Sequence, residues 1–205
     1  MNECEPTAMN KREQKKDLLL DTGLAVMATH GYNGTSIKDI VDAAEVPKGS
    51  FYTYFKSKED FALAALERAT EEREQESRAL LQNRDIPPLE RLSRYFRDYT
   101  GACDSGVTGG CFIGNMCQEM SDSSEQIRLK VRQLLRNNTQ AIEDVLEEAR
   151  LNGSLTSPLS SAVLAEFLFN AWEGTVMRMK ASKCREPLDA FLALLPTVVG
   201  QADAA

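Results

Sequence analysis

The segment that most constrains this chain runs from Gly31 to Phe61, GYNGTSIKDIVDAAEVPKGSFYTYFKSKEDF. Its apolar residues recur at helical spacing, but in pieces too short to be stable alone. Ser36 to Ala43 reads as one short helix, with Thr35 or Ser36 as N-cap and Asp39 three residues after Ser36. Ile37, Ile40, Val41 and Ala44 form its buried stripe. Lys48 to Phe55 reads as a second helix, with Pro47 in its first turn, where a missing N–H is harmless. Ser57 caps a much longer helix that runs to about Gln82 and spans roughly 39 Å at ~1.5 Å per residue. Two short helices joined by a tight turn form a helix-turn-helix, and the second helix of that motif fits the DNA major groove.

The flanking sequence predicts an all-α fold of about nine helices. Lys11 to Thr29 fits an amphipathic helix that Gly31 stops. After a break over Asn83 to Pro88, helices are expected over Leu89 to Ala102, Cys111 to Met120, and from a cap at Asp122 or Ser123 to about Leu151. Pro158 to Ser182 and Glu186 to Val199 are two strongly apolar helices, and residues 104–110, DSGVTGG, read as a flexible turn. No run alternates as a strand would, and no internal repeat is visible.

Charge and cysteine usage exclude several classes. Lys and Arg number 24 against 31 Asp and Glu, a net of −7. Residues 1–58 hold eight of each, so the whole excess of acid lies beyond them. Acidic surface repels DNA, so it must face away, and binding must rest on a few placed contacts. No apolar run approaches a membrane span, and the polar N-terminus lacks a secretory h-region, which points to a cytoplasmic protein without a membrane partner. Five cysteines without a CxxC pair and a single histidine, His30, suggest neither a disulfide framework nor a metal site. With no nucleophile–base pair, P-loop or dinucleotide motif, no cofactor and no enzyme activity are expected.

Gly31-Tyr32, Thr35-Ser36-Ile37, Ile40-Val41, Ala44, Val46, Lys48-Gly49-Ser50-Phe51-Tyr52, Tyr54-Phe55 and Ser57-Lys58-Glu59 together resemble the TetR family of transcriptional repressors. The resemblance covers roughly residues 14–66. It implies a flexible N-terminus (1–10), a DNA-binding domain (11–58), a regulatory and dimerisation domain (59–200) with connecting helix 57–82, and a flexible tail (201–205). It also implies a homodimer on palindromic double-stranded operator DNA. Glu45 departs from the pattern, because many relatives carry Gly at that turn. On or near the exposed face of the second short helix, Lys48, Gly49, Ser50, Thr53 and Tyr54 can reach bases or phosphates. Thr35, Ser36 and Lys58 lie at helix starts, where phosphates can be held. Phe51 and Phe55 read as core wedges. A plain hairpin with a solvated Lys/Ser face is the bland alternative, and a non-catalytic dimeric adaptor would leave Lys48 to Lys58 without a role.

The last two helices are the expected dimer surface, through Leu164, Phe167, Leu168 and Ala171 in one and Phe191, Leu192, Leu194 and Leu195 in the other. The competing role for them is closure of the monomer core. For the input signal two readings stand open. In the first, Cys111 follows Gly109-Gly110 at a helix start, where a dipole stabilises a thiolate. The stretch around it resembles the NemR-like branch of the family, which implies electrophile sensing at Cys111 with Lys180 nearby. Buried packing is the alternative role for such a thiol. In the second reading a small-molecule inducer binds reversibly in an apolar pocket. Phe112, Asn115 and Met116 would face Tyr95, Tyr99 and Cys103. Phe167, Asn170, Trp172, Glu173 and Met177 would close the far side, although Trp172 and the Met/Phe stripe also suit an ordinary core.

Overall fold

The computed structural model describes residues 11–98 and 110–200. Tyr99, Cys103, the predicted tails 1–10 and 201–205, and most of the predicted turn 104–110 lie outside the described residues. Nine α-helices and no strand occur among those described: α1 (Lys11–His30), α2 (Ile37–Ala43), α3 (Lys48–Tyr54), α4 (Lys58–Leu81), α5 (Pro88–Asp98), α6 (Phe112–Met120), α7 (Glu125–Leu151), α8 (Ser161–Ser182) and α9 (Glu186–Val198). None is long and apolar enough to cross a membrane. The chain divides into two compact units, residues 1–69 and 70–205, with α4 beginning in the first and ending in the second.

In the first unit α1 packs on α2 and α2 on α3. Ser36 is the N-cap of α2 and forms a full capping box with Asp39. Pro47 sits one position earlier than expected, as the N-cap of α3 rather than in its first turn. Phe51, Phe55 and Phe61 are buried against one another, with ring centroids 5.0 to 5.8 Å apart. Helix α1 reaches this cluster only because residue 23 is glycine. A Cβ there would lie 2.5 Å from Phe61 Cζ and 2.7 Å from Ile40 Cγ2. Glu45, in the turn before α3, has φ of 54°, a left-handed conformation that costs a residue with a Cβ about 1 kcal/mol.

In the second unit α7 packs on α5, α6 and α8, and α9 packs on α8 and α5. Phe96, Trp172 and Phe191 bring α5, α8 and α9 together, with centroids 4.9 to 5.7 Å apart. Arg91 is buried to 1% exposure and donates to the Leu81 carbonyl at the end of α4 and to the Glu148 carboxylate of α7. The cap of α7 is Ser124, not Asp122 or Ser123, because the Ser123 hydroxyl turns back to the Met120 carbonyl. Helix α8 starts at Ser161 behind a Ser160 cap, later than the expected Pro158.

Two backbone substitutions should shift stability in opposite directions. Gly23→Ala should lower it by ~1–3 kcal/mol through overpacking, and Glu45→Gly should raise it by ~0.5–1 kcal/mol by relieving the left-handed turn. Urea unfolding midpoints of the two variants check both signs.

Candidate functional site

Helix α3 presents Lys48, Gly49, Tyr52 and Thr53 as exposed residues, while Ser50 and Tyr54 are half-buried. Phe51 and Phe55 turn inward, so the side facing solvent is polar and aromatic. A Cβ added to Gly49 would meet nothing within 4 Å, which leaves the start of α3 open to a close approach. A two-turn helix with this face can enter a major groove and present hydroxyls, a phenol and an ammonium there.

The residues expected at helix starts behave differently. Thr35 is 1% exposed, and its hydroxyl donates to the Gly31 carbonyl at 2.7 Å, so its side chain is unavailable to a phosphate. Ser36 is exposed, but its N–H and hydroxyl are committed to Asp39. Those backbone and side-chain hydrogen bonds from Ser36 hold the Asp39 carboxyl below the usual carboxylate range, so an anion already occupies the start of α2. Lys58 donates from Nζ to the carbonyls of Tyr32 and Thr35, both at 2.9 Å, and lies 4.1 Å from the Tyr32 ring centroid. Its ammonium therefore ties the first turn of α4 to the loop before α2. The Tyr32 hydroxyl is pushed up, first by burial and then by the charge of Glu59. Sequence reasoning missed Tyr32 as a partner for Lys58, although the Gly31-Tyr32 pair was conspicuous.

The second cluster surrounds the start of α6. Cys111 is its N-cap, 7% exposed, and its sulfur accepts the Gly114 N–H at 3.4 Å. The thiol also hydrogen-bonds the Glu173 carboxyl of α8. Burial pushes the Glu173 carboxyl up from its ordinary value, and the Cys111 bond opposes that shift. Gly114 makes the arrangement possible, since a Cβ there would sit 2.9 Å from Glu173 Oε2 and 3.8 Å from Cys111 Sγ. Lys180 Nζ donates to Asn115 Oδ1 at 3.1 Å, and its stem runs beside Gly110. Burial pushes the Tyr95 phenol up to about 12, with Arg73 opposing and Cys111 and Glu173 adding smaller upward contributions.

The structure thus brings Cys111, Asn115, Glu173, Lys180 and Tyr95 into one neighbourhood. Other expected pocket residues lie elsewhere. Trp172 is fully buried in the aromatic core, Met116 is 1% exposed and Phe112 is partly buried on α6, whereas Phe167, Asn170 and Met177 are exposed. A cleft of about 1070 Å³ does open between α4, α5 and α7. Of the described residues expected to bind an inducer only Tyr95 lines it, and its wall mixes apolar surface from Leu81, Val145 and Leu151 with the charged groups of Arg78, Arg84, Glu74, Asp144 and Glu147. Among the described residues no group of His, Cys, Asp and Glu could hold a metal ion.

The expected dimer residues divide as well. Leu164, Leu168 and Leu195 are buried in the chain's own core at 0 to 5% exposure, so they are not surface, while Ala171, Phe191 and Leu192 are partly buried. What α8 exposes instead is Val163, Phe167, Asn170 and Met177, which with the half-buried Gly174 are spaced alternately four and three apart on one face. Leu194 of α9 is exposed to 54%.

A short helix with a polar, aromatic outer face set by a phenylalanine core, followed by a separate helical unit, is the architecture of a helix-turn-helix DNA-binding protein with a second domain. Residues 19–65 match the model for bacterial regulatory proteins of the tetR family, and residues 88–195 match the tetracyclin repressor-like C-terminal domain. The chain belongs to the TetR family of transcriptional repressors, whose members bind operator DNA and function as dimers. It is 35% identical over 184 residues to the HTH-type transcriptional repressor DhaR of Mycobacterium sp. (strain GP1), covering 87% of this chain and 91% of that one. To the repressor NemR of Escherichia coli (strain K12) it is 31% identical, covering 93% and 98%. The reduced form of E. coli NemR superimposes with a TM-score of 0.84 at 32% identity, covering 90% of this chain and 96% of that one. A regulatory protein TetR from Rhodobacter sphaeroides gives 0.85 at 28% identity, covering 90% and 98%.

The raised Glu173 carboxyl gives a pH dependence of known sign. The folded state holds the proton more tightly than the unfolded chain, so stability falls as pH rises from about 4.5 through the folded value. Glu173→Gln should flatten that decline, and denaturant midpoints across the acidic range check it.

Proposed function

We propose that the chain is a cytoplasmic homodimeric repressor released from a palindromic operator when a small electrophile modifies Cys111. The observation that carries this reading is the convergence of Cys111, Glu173, Asn115 and Lys180 at the start of α6. A thiol attacks electrophiles as the thiolate, and the ionised Glu173 carboxylate beside it is the acceptor for its proton. Because Cys111 is buried as an N-cap, an adduct cannot be added without displacing what packs on it. The likeness to NemR supports the same direction. The cleft between α4, α5 and α7, with apolar and charged groups in its wall, supports a second reading, reversible binding of a small-molecule inducer.

Dimerisation through α8 and α9 follows from the apolar stripe Val163, Phe167 and Met177, each more than half exposed, with Gly174 giving room for a close helix approach. On DNA, Lys48, Gly49, Thr53 and Tyr54 make the contacts, with Ser50 beside them. Lys58 acts by holding the loop before α2, and Ser36 by capping. Helix α4 is the one covalent connection between the two units, so the signal passes along it. Raising the operator Kd ~100-fold requires a coupling of about 2.7 kcal/mol.

Three outcomes are expected. Cys111→Ser should bind operator normally and lose release by a quinone or maleimide; a normal response would assign the signal elsewhere, with the cleft between α4, α5 and α7 next to be tested. Phe167→Glu combined with Met177→Glu should convert the dimer to monomer by sedimentation and weaken operator binding at least tenfold. Tyr54→Ala should weaken binding without changing the far-ultraviolet circular dichroism, and unchanged affinity would remove that residue from the interface.

A further inference from the structure

Half of the eight basic residues between positions 11 and 58 are Lys11, Arg12, Lys15 and Lys16, in the first six residues of α1, and all four are exposed. They lie outside the helix-turn-helix segment. Further along α1, Asp17 and Asp21 face Arg68 at 3.9 and 2.9 Å. On α2, Asp42 is paired with Lys38 and Asp39 closes the capping box. These four carboxylates are thus matched locally, and the four cations at the start of α1 stand against a single carboxylate, Glu13, in the same six residues.

The start of α1 meets the end of the recognition helix. Arg12, Glu13 and Lys16 of α1 and Thr53 and Tyr54 of α3 line a cleft of about 400 Å³. Arg12 and Lys16 are four apart and so share a face of α1. The Lys16 ammonium lies 6.0 Å from the ring centroid of Phe55, the residue that ends α3, which places the charge at that helix end. Two cations, a hydroxyl and a phenol around a shallow opening suit a singly charged phosphodiester. Thr53 and Tyr54 already belong to the DNA-facing side, so the phosphate is one of the operator's own backbone.

We propose that this cleft holds a DNA backbone phosphate, making the first turns of α1 a second contact that positions α3 in the groove. Glu13 is the opposing charge in the same lining and limits the strength of the contact. The contact reads no base, so it adds affinity without changing sequence preference.

The test uses the full-length dimer, an operator duplex selected from a random pool and a non-operator duplex, with binding followed by anisotropy across chloride concentrations. Arg12→Gln and Lys16→Met should each lower the slope of log affinity against log salt by about 0.9, and weaken both duplexes by the same factor. Glu13→Gln should tighten both. Lys16→Met keeps the stem beside Phe55, and Arg12→Gln carries the test alone if the other variant melts early. Unchanged slopes overturn the proposal. A loss from Lys15→Met equal to that from Lys16→Met also overturns it, since that outcome reports a diffuse positive field rather than a site. Inorganic phosphate competing with DNA more strongly than chloride at equal ionic strength, and losing that advantage in Arg12→Gln, supports a shared phosphate site; an advantage unchanged in Arg12→Gln places the anion elsewhere and overturns the proposal. Loss of operator selectivity in the unmodified protein would count against the recognition helix, a separate failure.

Discussion

A helix of seven residues does not hold its shape in water, so α3 exists only because something outside it fixes both ends. That something is the packing of Phe51 and Phe55 against Phe61, the fourth residue of α4. Gly23 lets α1 close on the same ring, and Lys58 binds the carbonyls of Tyr32 and Thr35 from the first turn of α4. The start of α4 is therefore inside the core that positions the recognition helix. A movement of that first turn cannot leave α3 where it was, because rings at 5.0 to 5.8 Å interdigitate and do not slide past one another freely.

The second unit uses a different economy, in which ionisable groups are taken out of water and matched. Arg91 is nearly fully buried, and its guanidinium serves the last carbonyl of α4 and a carboxylate of α7 at once. Losing it would strand an acceptor at a helix end, where no intrahelical donor exists. Glu173 is a costlier burial, because its partner is a thiol rather than a cation.

The fold was legible because helix periods, caps and glycine stops recur without a competing strand pattern. Ser36 with Asp39, and the break after Leu81, are local signals with local causes. What escaped was decided by distant partners. Thr35 reads as a surface residue at a helix start, yet its hydroxyl turns inward to Gly31. Leu164 and Leu168 read as an interface and are core, because the apolar stripe of α8 wraps more than one face. Arg91 is interior only through the convergence of α4, α5 and α7 around it, which no local sequence signal announces. Around Cys111 the sequence indicated the right neighbourhood but not its geometry. Gly114 carries no chemistry of its own, and its role is visible only once Glu173 lies over it.

The magnitudes required for release and those available at Cys111 can be set side by side. A hundredfold change in operator affinity needs ~2.7 kcal/mol of coupling. Forcing added atoms into a well-packed site typically costs ~1–3 kcal/mol. An adduct on a 7%-exposed N-cap thiol displaces its Gly114 N–H bond and crowds Glu173, so it also removes a cap and repositions a buried carboxyl. Cap loss alone contributes about 1 kcal/mol. The sum is of the size the switch needs, provided α4 moves with the second unit and the strain is relieved there. An exposed thiol such as Cys184 would react more readily but would displace nothing. In the switch proposed for Cys111, burial would slow the reaction while making the adduct costly to accommodate, trading speed of response for the free energy to break a protein–DNA contact.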